Sequence, residues 1–176
     1  LFTFNNVAIV NQAPLTSDPG DEVELPVMRG YGAGQIARSS VILAAEQLAV
    51  QAWQQQGYAK AEVVNRDVIA DHARQTVDVT ITVNPGRIAA FGDINVTGTE
   101  RMNPEFVRQQ AGLAVGQEYN PDEIERAQKR LDRLEVFRAA RFQAAQEIGP
   151  DGLLPYQLIV EELPGRRFGA GASFST

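Results

Sequence analysis

Few residues in this chain are equipped for chemistry. His72 is the only histidine, with Asp67 and Asp71 close by in sequence. An imidazole and two carboxylates are the material of a metal site. These three, however, fall in what reads as a β-hairpin turn, and neither a second histidine nor any cysteine exists to complete a transition-metal set. The spacing therefore predicts a solvated turn and no metal. Gly32-Ala33-Gly34-Gln35-Ile36-Ala37 stands ahead of a helix and imitates the glycine-rich turn that cradles a dinucleotide. Such a turn must follow a strand inside a β-α-β unit. Here Pro26 interrupts the preceding stretch and the following strands read as a hairpin, so the expectation is a loop packed closely on a helix, with no cofactor. Glu161-Glu162 are adjacent on a predicted strand, which puts one carboxylate on each face and prevents joint action on one bond. There is no Gly-x-Ser-x-Gly elbow. No residue is assigned a catalytic, cofactor or metal role, and the chain is not expected to be an enzyme.

The elements that would position any site are written twice. Tyr58 leads a run that closes at Pro85-Gly86-Arg87, and Phe137 leads one that closes at Pro164-Gly165-Arg166, an offset of 79 positions. A period of that size is longer than a solenoid repeat and close to a small domain. The 176 residues then divide into two modules of roughly 80–90 residues each. A net charge of −6 and only two lysines, Lys60 and Lys129, argue against a nucleic-acid surface. No apolar run has the length of a membrane-spanning helix. A start at Leu1-Phe2-Thr3-Phe4 reads as a piece of a longer protein.

In the second module, Ile88, Ala90, Gly92, Ile94 and Val96 alternate with the residues between them as in a half-buried strand. Asn103-Pro104-Glu105 and Asn120-Pro121-Asp122-Glu123 are two helix starts, the first helix ending at Gly112. Ile124, Ala127, Leu131 and Leu134 make one apolar stripe. Strands follow near 139–147 and 155–162, joined across Gly149-Pro150-Asp151-Gly152. The order is β-α-α-β-β. The first module has a strand near 2–10, with a loop or degenerate helix over 11–35. A helix near 36–57 carries a stripe of Val41, Ala45, Leu48 and Ala52, widened by Ile42, Ala49 and Trp53. Strands follow near 60–69 and 76–84. The link is expected to be short and stiff, since Pro85 fixes its own φ and restricts Asn84, leaving Gly86 to swivel. Residues 168–175 alternate Phe or Ala with Gly or Ser, the pattern with which a transmembrane β-strand begins; the alternative is a frayed, Gly-rich tail.

The run from Val83-Asn84-Pro85-Gly86-Arg87 to Phe91-Gly92-Asp93-Ile94-Asn95-Val96-Thr97-Gly98 resembles the junction between successive POTRA (polypeptide-transport-associated) domains. There, a strand ends in Pro-Gly and the next domain opens with Phe-Gly-x-Ile-x-Val-x-Gly. The Gly57-Tyr58 corner and Arg167-Phe168-Gly169-Ala170-Gly171 agree. The chain is similar to tandem POTRA domains of the BamA/TamA superfamily of outer-membrane proteins, most like the TamA branch. The resemblance implies an α+β fold of two β-α-α-β-β domains, 1–86 and 87–165, followed by the barrel strand over 166–176. Each domain would be a three-stranded mixed sheet covered on one face by helices, with the third strand in the middle.

The resemblance also implies a periplasmic place beside an outer-membrane barrel of a Gram-negative cell. The partners would be unfolded outer-membrane or secreted polypeptides and a TamB-like periplasm-spanning protein, with no nucleic acid. Membrane contact would come through the barrel. The function would be assembly or translocation of outer-membrane proteins; the alternative is the periplasmic part of a two-partner-secretion exporter. With the third strand central, the first and second strands are edges, whose free N–H and C=O groups invite an added strand. The candidate docking residues are Glu62, Val63, Val64, Asn65 and Arg66 in the first module, and Arg141, Phe142, Gln143, Ala144 and Ala145 in the second.

Overall fold

The computed structural model describes residues 1–15 and 23–165, so the expected barrel strand over 166–176 lies outside the described residues. The Thr/Val alternation of the first module produces β3 (Thr76–Asn84), in which Val77, Val79, Ile81 and Val83 are all buried. It forms the centre of a sheet, with β1 (Thr3–Asn11) parallel on one side and β2 (Glu62–Asp71) antiparallel on the other. A parallel neighbour requires a crossover, and α1 (Ser39–Gln54) supplies it. Its buried line runs through Ile42, Ala45, Ala49 and Trp53, together with Glu46. That is the flank of the expected stripe rather than its centre, so the helix sits rotated toward the positions given a widening role. Trp53 and Tyr58 meet edge to face, with ring centroids 5.1 Å apart. Gly57, at φ 92°, closes the helix with the paired Tyr58 N–H to Trp53 O and Gly57 N–H to Gln54 O bonds of a Schellman turn. No helix forms among the described residues between β1 and α1; Val23, Leu25, Met28 and Tyr31 pack on the core as loop instead.

The second module repeats the plan with both helices present. β4 (Ala90–Thr97), α2 (Pro104–Ala111), α3 (Pro121–Asp132), β5 (Phe137–Ala144) and β6 (Leu153–Glu162) form a sheet ordered β4-β6-β5, again parallel then antiparallel. Asn103 and Asn120 cap their helices by accepting from the N–H of Glu105 (2.8 Å) and Asp122 (2.9 Å), and Gly112 ends α2 in the left-handed region. Val107, Ala111, Ala127 and Leu131 are buried against Phe91, Leu154, Leu158 and Val160.

The strict alternation expected from Ile88 to Val96 does not hold. Ala89 and Phe91 point into the core, and then so does Ile94, because the register slips between Phe91 and Ile94. One extra residue in a strand inverts the faces beyond it. Gly92 occupies the slip, where an added Cβ would lie 2.8 Å from the Pro155 nitrogen. β1 slips at the matching place, between Phe4 and Asn6.

The link differs from expectation in one respect. Gly86 is not a free swivel: at φ 72° its N–H donates to Asn84 Oδ1 (3.0 Å) and its carbonyl accepts from Leu15 N–H (2.9 Å).

Candidate functional site: the open sheet edges

Which backbone groups are free follows from the register. The carbonyls of Gln75 and Val83 accept from Thr3 and Gln12, at 3.1 and 2.8 Å. Odd positions of β3 therefore direct their backbone toward β1, and even positions toward β2. Asn65, Asp67 and Ile69 lie opposite Thr82, Thr80 and Asp78, so their N–H and C=O groups are spent inside the sheet. Arg66, Val68 and Ala70, opposite Ile81, Val79 and Val77, direct theirs outward. Among the described residues, no backbone hydrogen bond reaches that side of β2 from Arg66 to Ala70.

In the second module, Pro155 O accepts from Ala145 N–H (2.9 Å) and Gly152 O from Ala90 N–H (3.0 Å). Odd positions of β6 thus face β5. Arg141, Gln143 and Ala145 face inward, while Ala140, Phe142 and Ala144 face the free edge.

The ten nominated residues consequently divide. Arg66, Phe142 and Ala144 direct their backbone groups outward; Glu62, Asn65, Arg141, Gln143 and Ala145 direct theirs inward, while Val63 and Val64 sit at a slip in register between Val63 and Asn65. Contiguous runs cannot be wholly free, because the pleat turns alternate residues toward opposite neighbours. Val68, Ala70 and Ala140 are outward positions that the sequence reading passed over. Counting by two from the register of the central strand would have found them.

The other two edges are partly closed, each by the same device. Gly34 N–H donates to Phe4 O (2.7 Å), Phe4 N–H to Gln35 O (2.8 Å), and Ala37 N–H to Phe2 O (3.0 Å). In the second module Gly116 N–H donates to Phe91 O (2.8 Å), Phe91 N–H to Gln117 O (2.8 Å), and Tyr119 N–H to Ala89 O (2.9 Å). A Gly-Gln pair ahead of the long helix thus seals the start of β1 and of β4. Here lies the physical role of the glycine-rich run that resembled a cofactor turn.

At the start of β2 lies a groove of about 490 Å³ lined by Glu46, Gln47, Val50, Gln51 and Gln54 of α1 and by Val63. The Glu46 carboxylate, though nearly buried, is bonded to Arg66 through Nε and, at 2.8 Å, Nη2. This bond and the adjacent negative charge hold the Arg66 guanidinium still more firmly protonated than usual. Tyr31, half-buried over the Phe4 ring (5.6 Å), has its pKa raised by burial and by the Glu46 charge. The groove floor is mostly amide and apolar, with one ion pair at its lip.

The remaining candidates settle into structural roles. Asp71 Oδ1 accepts from Ala73 and Arg74 N–H (2.9 and 3.0 Å), and the His72 ring stacks edge-on against Phe2 (5.3 Å). Among the described residues no three His, Cys, Asp or Glu side chains gather as metal ligands. Glu161 pairs with Arg138 (3.0 Å). Glu162 turns the other way and accepts from the backbone N–H of Glu100, Met102 and Arg101 (2.8–3.2 Å) and from Arg101 Nε (3.3 Å). Among the described residues no helix is long and apolar enough to cross a membrane, which says nothing of a barrel.

Comparison with known proteins accounts for this architecture. The POTRA family, described as surface antigen variable number repeat, matches residues 19–86 and 89–149. A curated relative, the outer membrane protein assembly factor BamA of Neisseria meningitidis serogroup B, is 27% identical over 96 residues, which is 54% of this chain and 12% of that protein. The Haemophilus influenzae BamA POTRA3-5 crystal structure superposes with a TM-score of 0.74 at 20% identity, covering 92% of this chain and 61% of that one. BamA from Haemophilus ducreyi lacking POTRA domains 1-3 gives 0.69 at 17% identity, covering 92% and 30%. The chain spans only part of the length of each of these proteins. The relatives named are BamA proteins, not TamA proteins. Two family matches, the first spanning α1, β2 and β3 and the second β4, α2, α3 and β5, place the chain in the POTRA family as two tandem domains.

Proposed function

We propose that this chain is the periplasmic POTRA region of an outer-membrane protein assembly or translocation factor, and that it receives unfolded client polypeptides by adding their strands to its sheet edges. The domains run 1–86 and 87–165, and 166–176 begin the first strand of a membrane barrel. The role is one of binding, without catalysis. A TamB-like partner belonged to the TamA reading and has no separate support.

The observation that carries the docking reading is the outward backbone of Arg66, Val68 and Ala70 in β2, a strand whose Val63 lines a groove against α1, while the starts of β1 and β4 are sealed. An added strand gains main-chain hydrogen bonds that are indifferent to its sequence, and side chains falling into the groove add modest preference. Such tolerance suits a protein that must handle many clients.

The test is Val68→Pro against Val68→Ala. Proline removes one outward N–H and fixes φ, which an edge strand accommodates; alanine trims the half-exposed side chain and keeps the donor. Site-specific crosslinking to a synthetic outer-membrane β-strand peptide should fall several-fold in Val68→Pro and stay near the parent in Val68→Ala, with circular dichroism confirming that both are folded. Equal capture by a folded Val68→Pro and the parent would remove the β2 edge from the mechanism.

A further inference from the structure

Proline is unusual in a central strand because it leaves a gap in the ladder, and Pro155 lies in β6, the middle of its sheet. Ala145 donates its N–H to Pro155 O at 2.9 Å. In an antiparallel pair of this kind the return bond runs from the partner's N–H to the Ala145 carbonyl. Pro155 has no N–H to give. The Ala145 carbonyl is instead taken by Lys60 Nζ, 2.6 Å away, a side chain of the first domain. Lys60 is one of the chain's two lysines. A partly buried carbonyl left unpaired costs free energy, so the second domain carries a defect that the first repairs.

A second tie lies elsewhere on the junction. Ala89 N–H donates to Gly57 O (2.9 Å), and Ala59 of the first domain packs against the second core. Gly57 sits against Ile88 and Glu118, whose side chains an added Cβ would approach to 3.0–3.3 Å. One tie beside a link leaves rotation free, whereas two at separate points fix an orientation.

We infer that Lys60 and Pro155 form an interdomain lock: the missing donor of Pro155 creates a receptor for the Lys60 ammonium, which sets the angle between the two domains. The inference concerns geometry and stands whether or not the sheet edges dock clients.

The chain has no cysteine, so nitroxides can be placed uniquely on Gln55→Cys just after α1 and on Arg133→Cys just after α3, both exposed. Double electron–electron resonance should give one narrow distance peak in the parent and a broadened one in Lys60→Met. Lys60→Met should also speed amide exchange at Ala145, in the domain that was not mutated. Pro155→Ala restores the backbone donor. In that background Lys60→Met should no longer speed exchange at Ala145. Superimposable distance distributions for parent and Lys60→Met would overturn the lock, and so would an Ala145 exchange effect that persists unchanged in Pro155→Ala.

Discussion

Glu162 shows how a residue that looks like chemistry becomes structure. Its side chain is 3% exposed, and four donors, three of them consecutive backbone N–H groups, converge on its carboxylate. Those backbone bonds, with Met102 foremost, depress its pKa to about 2, against the opposing effect of burial. The sign of the linkage follows. Because the folded pKa lies below the unfolded carboxylate value, the contribution is complete above about pH 4.5 and is lost as pH falls toward about 2. The gap in melting temperature between the parent and Glu162→Gln should accordingly be flat from pH 5 to 8 and narrow between pH 4.5 and 2. A gap constant down to pH 2 would mean the carboxylate does not organise the turn into α2. Sequence alone separated Glu161 from Glu162 by strand alternation, and the structure keeps them apart. What it could not supply was the partner, since the N–H groups of Glu100 to Met102 are brought to β6 only by the parallel β4–β6 pairing.

At the scale of elements, local signals were most legible where one residue type does one job. Asn-Pro at both helix starts, Gly112 at the end of α2 and the alternating valines of β3 all read correctly from spacing, because capping and pleat are local. The slips of register in β1 and β4 were not legible. They depend on the close approach of another strand, as Gly92 to Pro155 shows. The sealing segments were hidden for the same reason: Gly34-Gln35 and Gly116-Gln117 mark no element of their own and act only against a strand distant in sequence. Gly116 is at φ 85° with nothing within 4 Å of an added Cβ, so Gly116→Ala meets conformational strain and no clash. The expected cost is about 1–2 kcal/mol in urea unfolding, with faster amide exchange at Phe91, whose N–H the segment holds, and no change at Gln143, which faces β6 from the far strand. Gly98→Ala, by contrast, drives Cβ into the Val160 carbonyl and should cost more than Gly116→Ala. A neutral Gly116→Ala with unchanged exchange at Phe91 would mean the seal contributes nothing to β4.

Over the whole molecule the question is what makes two domains with separate cores behave as one object. The sequence reading placed the stiffness in Pro85. The structure distributes it: Gly86 is tied at both its N–H and its carbonyl, Gly57 accepts from Ala89, and Lys60 reaches Ala145. Pro85 itself is fully buried. Pro85→Gly should therefore act on stability more than on shape. Releasing the fixed φ gives the unfolded chain more conformations, worth about 0.4–1 kcal/mol, and the buried ring adds lost contacts to that. The variant should melt at a lower temperature, while its small-angle scattering profile below the transition superimposes on that of the parent. The reasoning is one of constraints: a flexible link between bodies held at two further points cannot express its freedom. A folded Pro85→Gly whose scattering shows a wider range of extensions would return the stiffness to the proline ring, and the contacts across the junction would then be followers of the interdomain angle rather than its cause.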